Sequence, residues 1–218
     1  MPIAWTAKKV EDKKLLLFND AGSWAGDVTN ALPVFKSLCL GLEYEETTDR
    51  KHADVVIKTA TAAGEKIDDS RTGGEATTPK GWTGNFPHGH TTTTKSIRGK
   101  LREVVFAGIF LPGAVPDLNG QRRQVIIIHE LLHASGLDGT LPDGTDKGDQ
   151  DHDSEGIMYP SMREGEDGYI EGDAVLKGHE SKSRQAKNRV VKPMPPIRIG
   201  TKTRRRMSQI WSEASCKK

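Results

Sequence analysis

His129-Glu130-Leu131-Leu132-His133 combines, in five residues, the side chains that metal-dependent hydrolysis needs. On an α-helix, residues four apart lie roughly 40° around the axis and one turn along it. Both imidazoles then face one side and can share a zinc ion. Glu130, one residue on, flanks the position where a bound water would sit. Zinc brings the pKa of such a water to about 7, so a neighbouring carboxylate can take its proton at neutral pH. The plainer reading of the same residues is a pair of histidines satisfied in or near a core.

This chemistry requires a helix held inside the molecule. Val125-Ile-Ile-Ile128 precedes His129, and the segment is apolar on nearly every side, which predicts a central helix from Asn119 to about Gly136. Before it, Glu103–Leu111 reads as a strand closed by Pro112-Gly113, with an apolar run from Val104. Further strands are expected at Lys14–Phe18, Leu42–Thr48 and Ala53–Thr59, the last rich in β-branched residues. Between the first two, a helix is expected from an N-cap at Ser23 to about Leu40, interrupted or re-entered at Pro33. Residues 61–100 show little periodicity and read as long loops with one or two short strands, one around Thr91–Ser96. A last helix capped by Thr201 or Thr203 would turn Met207, Ile210 and Trp211 inward.

The stretch His129-Glu-Leu-Leu-His133-Ala-Ser-Gly136-Leu137 resembles most of the extended signature of the metzincin zinc peptidases. In that family the glycine ends the helix and turns the chain toward a third histidine, a role suited to a residue tolerant of positive φ. Gly156-Ile-Met158-Tyr159-Pro160 resembles the family's Met-turn, the hydrophobic base beneath the metal, in a form closest to the matrixin branch. The resemblance covers residues 14–160 and 200–213; it is specific at the helix and the Met-turn and loose elsewhere. It implies an α+β fold: a twisted mixed sheet, a central active-site helix, a Met-turn and a C-terminal helix. It also implies one domain over residues 1–213, with an inserted acidic loop at 138–151, an irregular segment at 163–198 and a tail at 214–218. Met158 would be the Met-turn methionine and Tyr159 would wall the substrate pocket.

The third zinc ligand departs from the pattern. In the family it usually falls three residues after the glycine, where this chain has Gly139. His152, six residues before Met158, takes the place if 138–151 loops out and returns, an insertion with precedent in leishmanolysin-type members. Asp138 is the competing ligand, and a site with no third protein ligand is the remaining alternative. The carboxylates of Asp143, Asp146, Asp149 and Asp151 suit Ca²⁺ as hard oxygen donors, or form a solvated acidic loop. His88 and His90 are a pair that either belongs to a second zinc site or is simply loop.

The composition sets limits on all of this. The chain has 218 residues, a formal charge of +2 and 34% hydrophobic residues. No apolar run approaches the roughly 20 residues that span a bilayer, so membrane insertion is not expected. The start, Met1-Pro2-Ile3-Ala4-Trp5, lacks a signal-peptide pattern, which predicts a cytoplasmic protein or one released or particle-associated without a cleavable signal. Two cysteines are too few for a disulfide scaffold, and Cys39, in an apolar stretch, reads as a small buried hydrophobe.

The small net charge hides an acidic segment at 138–155 and a basic one at 177–218. The basic arm, with Arg204-Arg-Arg206 on a helix, is a surface for protein assembly or a solvated face; nucleic acid is not expected, because no base-reading motif accompanies it. Together these readings predict a zinc endopeptidase acting on a protein or peptide, with His129, His133 and His152 on Zn²⁺ and Glu130 as general base. Two alternatives stay open: a structural or interaction protein that keeps the fold, such as a viral particle component, and a zinc amidase acting on peptidoglycan.

Overall fold

The computed structural model describes residues 4–84, 89–98, 101–114, 120–137, 157–158 and 197–211. It is an α+β molecule with a five-stranded mixed sheet and a separate two-stranded one. Helix α1 (Ala7–Asp12) leads into β1 (Lys14–Asp20), and α2 (Ala25–Ser37) crosses back to β2 (Glu43–Glu46). Then come β3 (Val55–Ala60), β4 (Lys66–Asp68), β5 (Glu75–Thr77), β6 (His90–Arg98) and β7 (Leu101–Pro112). Helix α3 (Gly120–Ala134) follows, and α4 (Thr201–Trp211) is the last described element.

The large sheet has the order β2-β1-β3-β7-β6. Its first four strands are parallel, and only β6 runs antiparallel, against β7. Alternation along the strands sorts side chains between two cores. Leu15, Leu17, Val55, Ile57, Ala107, Ile109 and Leu111 face the helices. Val56, Phe106 and Phe110 face the other way, onto Ile67 and Ala76 of the β4–β5 hairpin and onto Trp82. The helical core runs from Trp5 to Trp211, so both chain ends contribute to one interior.

Helix α3 is buried as its composition requires. Val125 through Ile128, Leu131, Leu132 and Ala134 are all in the core, while His129 and His133 are half-exposed. In α4, Thr203, Met207, Ile210 and Trp211 turn inward, leaving Lys202, Arg204 and Arg205 exposed.

Four local expectations are corrected. Pro33 lies inside α2 and does not interrupt it. A proline removes one helical hydrogen bond, and here both Pro33 and Thr29, whose carbonyl loses that donor, are exposed to solvent. Ser23 does not cap α2: it sits in a 3₁₀ turn, Gly22–Trp24, that feeds directly into the helix. The 61–100 stretch holds more sheet than expected, because strands of three residues with one inward side chain each, Ile67 and Ala76, leave no readable alternation. Cys39 is half-buried, sits at φ 55° just past α2, and is disulfide-bonded; the chain's other cysteine is Cys216. Among the described residues no helix is long and apolar enough to cross a membrane.

Candidate metal centre

The site begins with the way α3 ends. The last carbonyls of a helix have no partner within it, and a buried end must find donors elsewhere. The Leu131 carbonyl accepts from the Ser135 amide at 2.9 Å, the Ser135 hydroxyl at 2.7 Å and the Tyr44 hydroxyl at 2.7 Å. The Ala134 carbonyl accepts from the Trp5 indole and the Ser135 carbonyl from the Trp211 indole, each at 2.9 Å. The Gly136 amide closes onto the His133 carbonyl at 3.0 Å. Gly136 itself has φ 104°, open to glycine and strained for any L side chain. The reversal it makes brings the Leu137 carbonyl back beneath His133.

That carbonyl is 2.7 Å from Nδ1 of His133. Nδ1 of His129 is 2.8 Å from the Ile157 carbonyl. A carbonyl oxygen only accepts, so both histidines carry their proton on Nδ1. Their Nε2 lone pairs then face each other, with the two Nε2 atoms 3.1 Å apart and the rings inclined at 70°. Two lone pairs at that distance repel unless a cation lies between them, either an extra proton on one ring or a metal ion shared by both. Tetrahedral zinc with bonds of about 2.0–2.1 Å sets two ligand nitrogens about 3.3 Å apart, close to the spacing here. Backbone acceptors on the far nitrogens are the usual means of fixing the tautomer and ring direction of metal-binding histidines. The donor set therefore fits a zinc ion.

Ile157 lies against this pair. The Ile157 amide donates to the Arg198 carbonyl at 3.0 Å, so the residue whose carbonyl orients His129 is itself tied to the segment leading into α4. Met158 is fully buried in the core that holds α3.

Glu130 is 3% exposed. The Thr91 hydroxyl, on β6, donates to its Oε2 at 2.6 Å and lies 3.2 Å from its backbone carbonyl. Gly89 faces the same side chain: a Cβ built there would fall 2.5 Å from Cγ and 2.9 Å from Oε1 of Glu130. The opposite side of β6 carries His90, whose Nε2 is 3.1 Å from the Thr92 hydroxyl and whose ring lies near Trp82.

The structure thus sets the rings of His129 and His133 side by side, holds Glu130 of the same helix against β6, and buries Met158 in the core that holds α3. His152, Asp138, Gly139, Tyr159, His88, Asn119 and the acidic stretch 138–151 lie outside the described residues. Among the described residues, no group of three His, Cys, Asp or Glu side chains converges as a metal site. Gly89 and Thr91 were not legible as site residues. They belong to the stretch whose periodicity was weakest, and only strand pairing sets them against the helix. No protein-family model matches the chain, and no curated protein or solved structure matches it either.

Proposed function

We propose that this chain is a zinc-dependent endopeptidase of the metzincin type. The observation that carries the reading is the pair of histidine Nε2 atoms 3.1 Å apart, each ring locked by a backbone carbonyl on its far nitrogen. The mixed sheet, the buried helix that carries both histidines, Met158 in the core that holds that helix and the C-terminal α4 support the metzincin assignment.

His129 and His133 would hold the metal, with His152 as third ligand and Asp138 as its competitor. Zinc, when bound, supplies a water acidic enough to lose its proton near neutral pH and a Lewis acid for the scissile carbonyl. Glu130 takes the proton and carries it to the leaving amine. The Thr91 hydroxyl holds the carboxylate at Oε2. The clearance at Gly89 keeps the carboxylate close to β6. Tyr159 would wall the pocket for the residue after the cleaved bond.

Zinc content and cleavage of a peptide library, measured together, test the reading. Wild type should hold one zinc and cleave; His129→Ala and His133→Ala should lose both properties. His152→Ala against Asp138→Asn identifies the third ligand by which one loses zinc. A zinc-loaded wild type that cleaves no peptide would sink the peptidase reading in favour of a structural role.

A further inference from the structure

We infer that Thr91, with Gly89 beside it, is the positioning element for the general base: the edge strand β6, and not the helix alone, sets the direction of the Glu130 carboxylate. The inference rests on the peptidase reading above and adds to it a residue that no histidine–glutamate motif contains. Residues 89 and 91 are two apart on an extended chain, so they present to the same side, and here that side is α3. One leaves a gap and the other fills it with a donor. The 2.6 Å contact is the length of a charge-assisted hydrogen bond from a hydroxyl to a carboxylate. A Cβ at residue 89 would collide with Glu130 at Cγ, Cδ and Oε1 together, so any larger residue turns the carboxylate away.

A long acidic side chain on a helix face has several rotamers, and burial alone does not choose among them. The hydroxyl chooses one by holding Oε2, and the clearance at residue 89 accommodates Cγ, Cδ and Oε1 of the same side chain. Among the described residues, β6 is the only antiparallel strand of the large sheet and lies at its edge. Its register with β7 runs through this point, pairing Thr91 with Ile109. The pairing therefore transmits the position of the sheet to the catalytic group.

The test compares Thr91→Val, which keeps the shape and removes the donor, with Thr91→Ser, which keeps the donor, and with Gly89→Ala. Zinc stoichiometry should match wild type in both Thr91 variants, and thermal unfolding should match it in Thr91→Ser; Thr91→Val, which takes this donor from a buried carboxylate, should unfold at a lower temperature. In Thr91→Val, kcat should fall about ten- to hundredfold with KM unchanged, the expected loss for one hydrogen bond to a charged group. Thr91→Ser should restore kcat to near wild type, and Gly89→Ala should lose kcat with zinc retained. A second readout does not depend on turnover: crystals of the zinc-loaded variants should show Glu130 in its original rotamer in Thr91→Ser and displaced in Thr91→Val. Equal kcat in Thr91→Val and wild type, equal impairment of Thr91→Val and Thr91→Ser, or an undisturbed Glu130 in Thr91→Val overturns the inference. Absence of peptide cleavage by the wild type overturns the peptidase reading instead, and the Glu130 rotamers still decide whether β6 positions the carboxylate.

Discussion

Asp54 and Glu130 are both buried carboxylates, 0% and 3% exposed, yet their surroundings are built on opposite plans. Asp54, just before β3, receives Lys9 from α1 at 2.6 Å, Arg71 from the turn between β4 and β5 at 2.9 Å, and the Leu16 amide of β1 at 2.8 Å. Arg71 continues to the Val105 carbonyl of β7 at 2.9 Å. Four elements are knotted through one charge. Glu130 instead is held by a neutral hydroxyl, with empty space reserved for it at a glycine. Two cations and a backbone amide hold the Asp54 carboxylate by charge and direction together, which suits a staple between elements. A neutral hydroxyl fixes direction and adds no formal charge, which suits the general base proposed for Glu130.

Exchanging the two carboxylates for their amides should separate these roles. Glu130→Gln is expected to lower cleavage by about 10²–10⁴-fold, the range for a general base, with zinc content and unfolding temperature unchanged. Asp54→Asn should leave the activity of the folded protein intact while lowering stability by about 3 kcal/mol in chemical denaturation. That is the lower end of the range for breaking a buried pair, because Lys9 and Arg71 retain side-chain exposures of 25% and 29%. A loss of activity in Asp54→Asn without a loss of stability would erase the contrast.

The end of α3 joins the two plans, since its donors serve the fold but its reversal orients His133. Trp211→Phe removes the indole N–H from the Ser135 carbonyl and leaves a buried acceptor unsatisfied. It should cost about 1–3 kcal/mol, with zinc affinity reduced less than by any change at His133. If zinc binding falls further than stability does, the clamp belongs to the site and not to the core.

The smallest effect concerns Tyr44, whose hydroxyl bonds the Leu131 carbonyl and lies 2.9 Å from the Ser135 hydroxyl. Burial pushes its pKa well above the ordinary tyrosine value. The folded protein therefore keeps a proton that the unfolded chain sheds above about pH 10. The stabilisation is complete below that pH and is lost as pH rises, by about 1.4 kcal/mol per pH unit. Unfolding free energies measured above pH 10 should fall more steeply in wild type than in Tyr44→Phe; parallel slopes would mean that water reaches the hydroxyl.

Much of this arrangement was legible in the chain itself. The apolar run before His129 announced a buried helix, a β-branched stretch announced β3, and an apolar run closed by Pro112-Gly113 announced β7, because burial on both faces leaves a run of apolar residues. The α+β class and the inward face of α4 followed from the same marks. Asp54 and Arg71 left none, for an ion pair between residues seventeen apart in sequence has no local signature. Cys39 misled for a similar reason: an apolar neighbourhood suggests a buried hydrophobe, whereas its bonding state depends on a partner elsewhere in the chain.

By itself the sequence determined that two imidazoles share one helix face with a carboxylate one residue on at its flank, since helical geometry makes spacing equivalent to direction. It determined also that the helix is interior, because so apolar a segment cannot remain in water. Only the tertiary structure decided the rest of the centre. The carbonyls of Leu137 and Ile157 assign the histidine tautomers, the indoles of Trp5 and Trp211 close the helix end, and Gly89 and Thr91 aim the glutamate. The backbone carbonyls carry no residue-type signal at all. The indoles, the glycine and the threonine lie 39 or more residues from Glu130, and they acquire their roles only when the chain ends pack on the helix and β6 takes its place at the edge of the sheet.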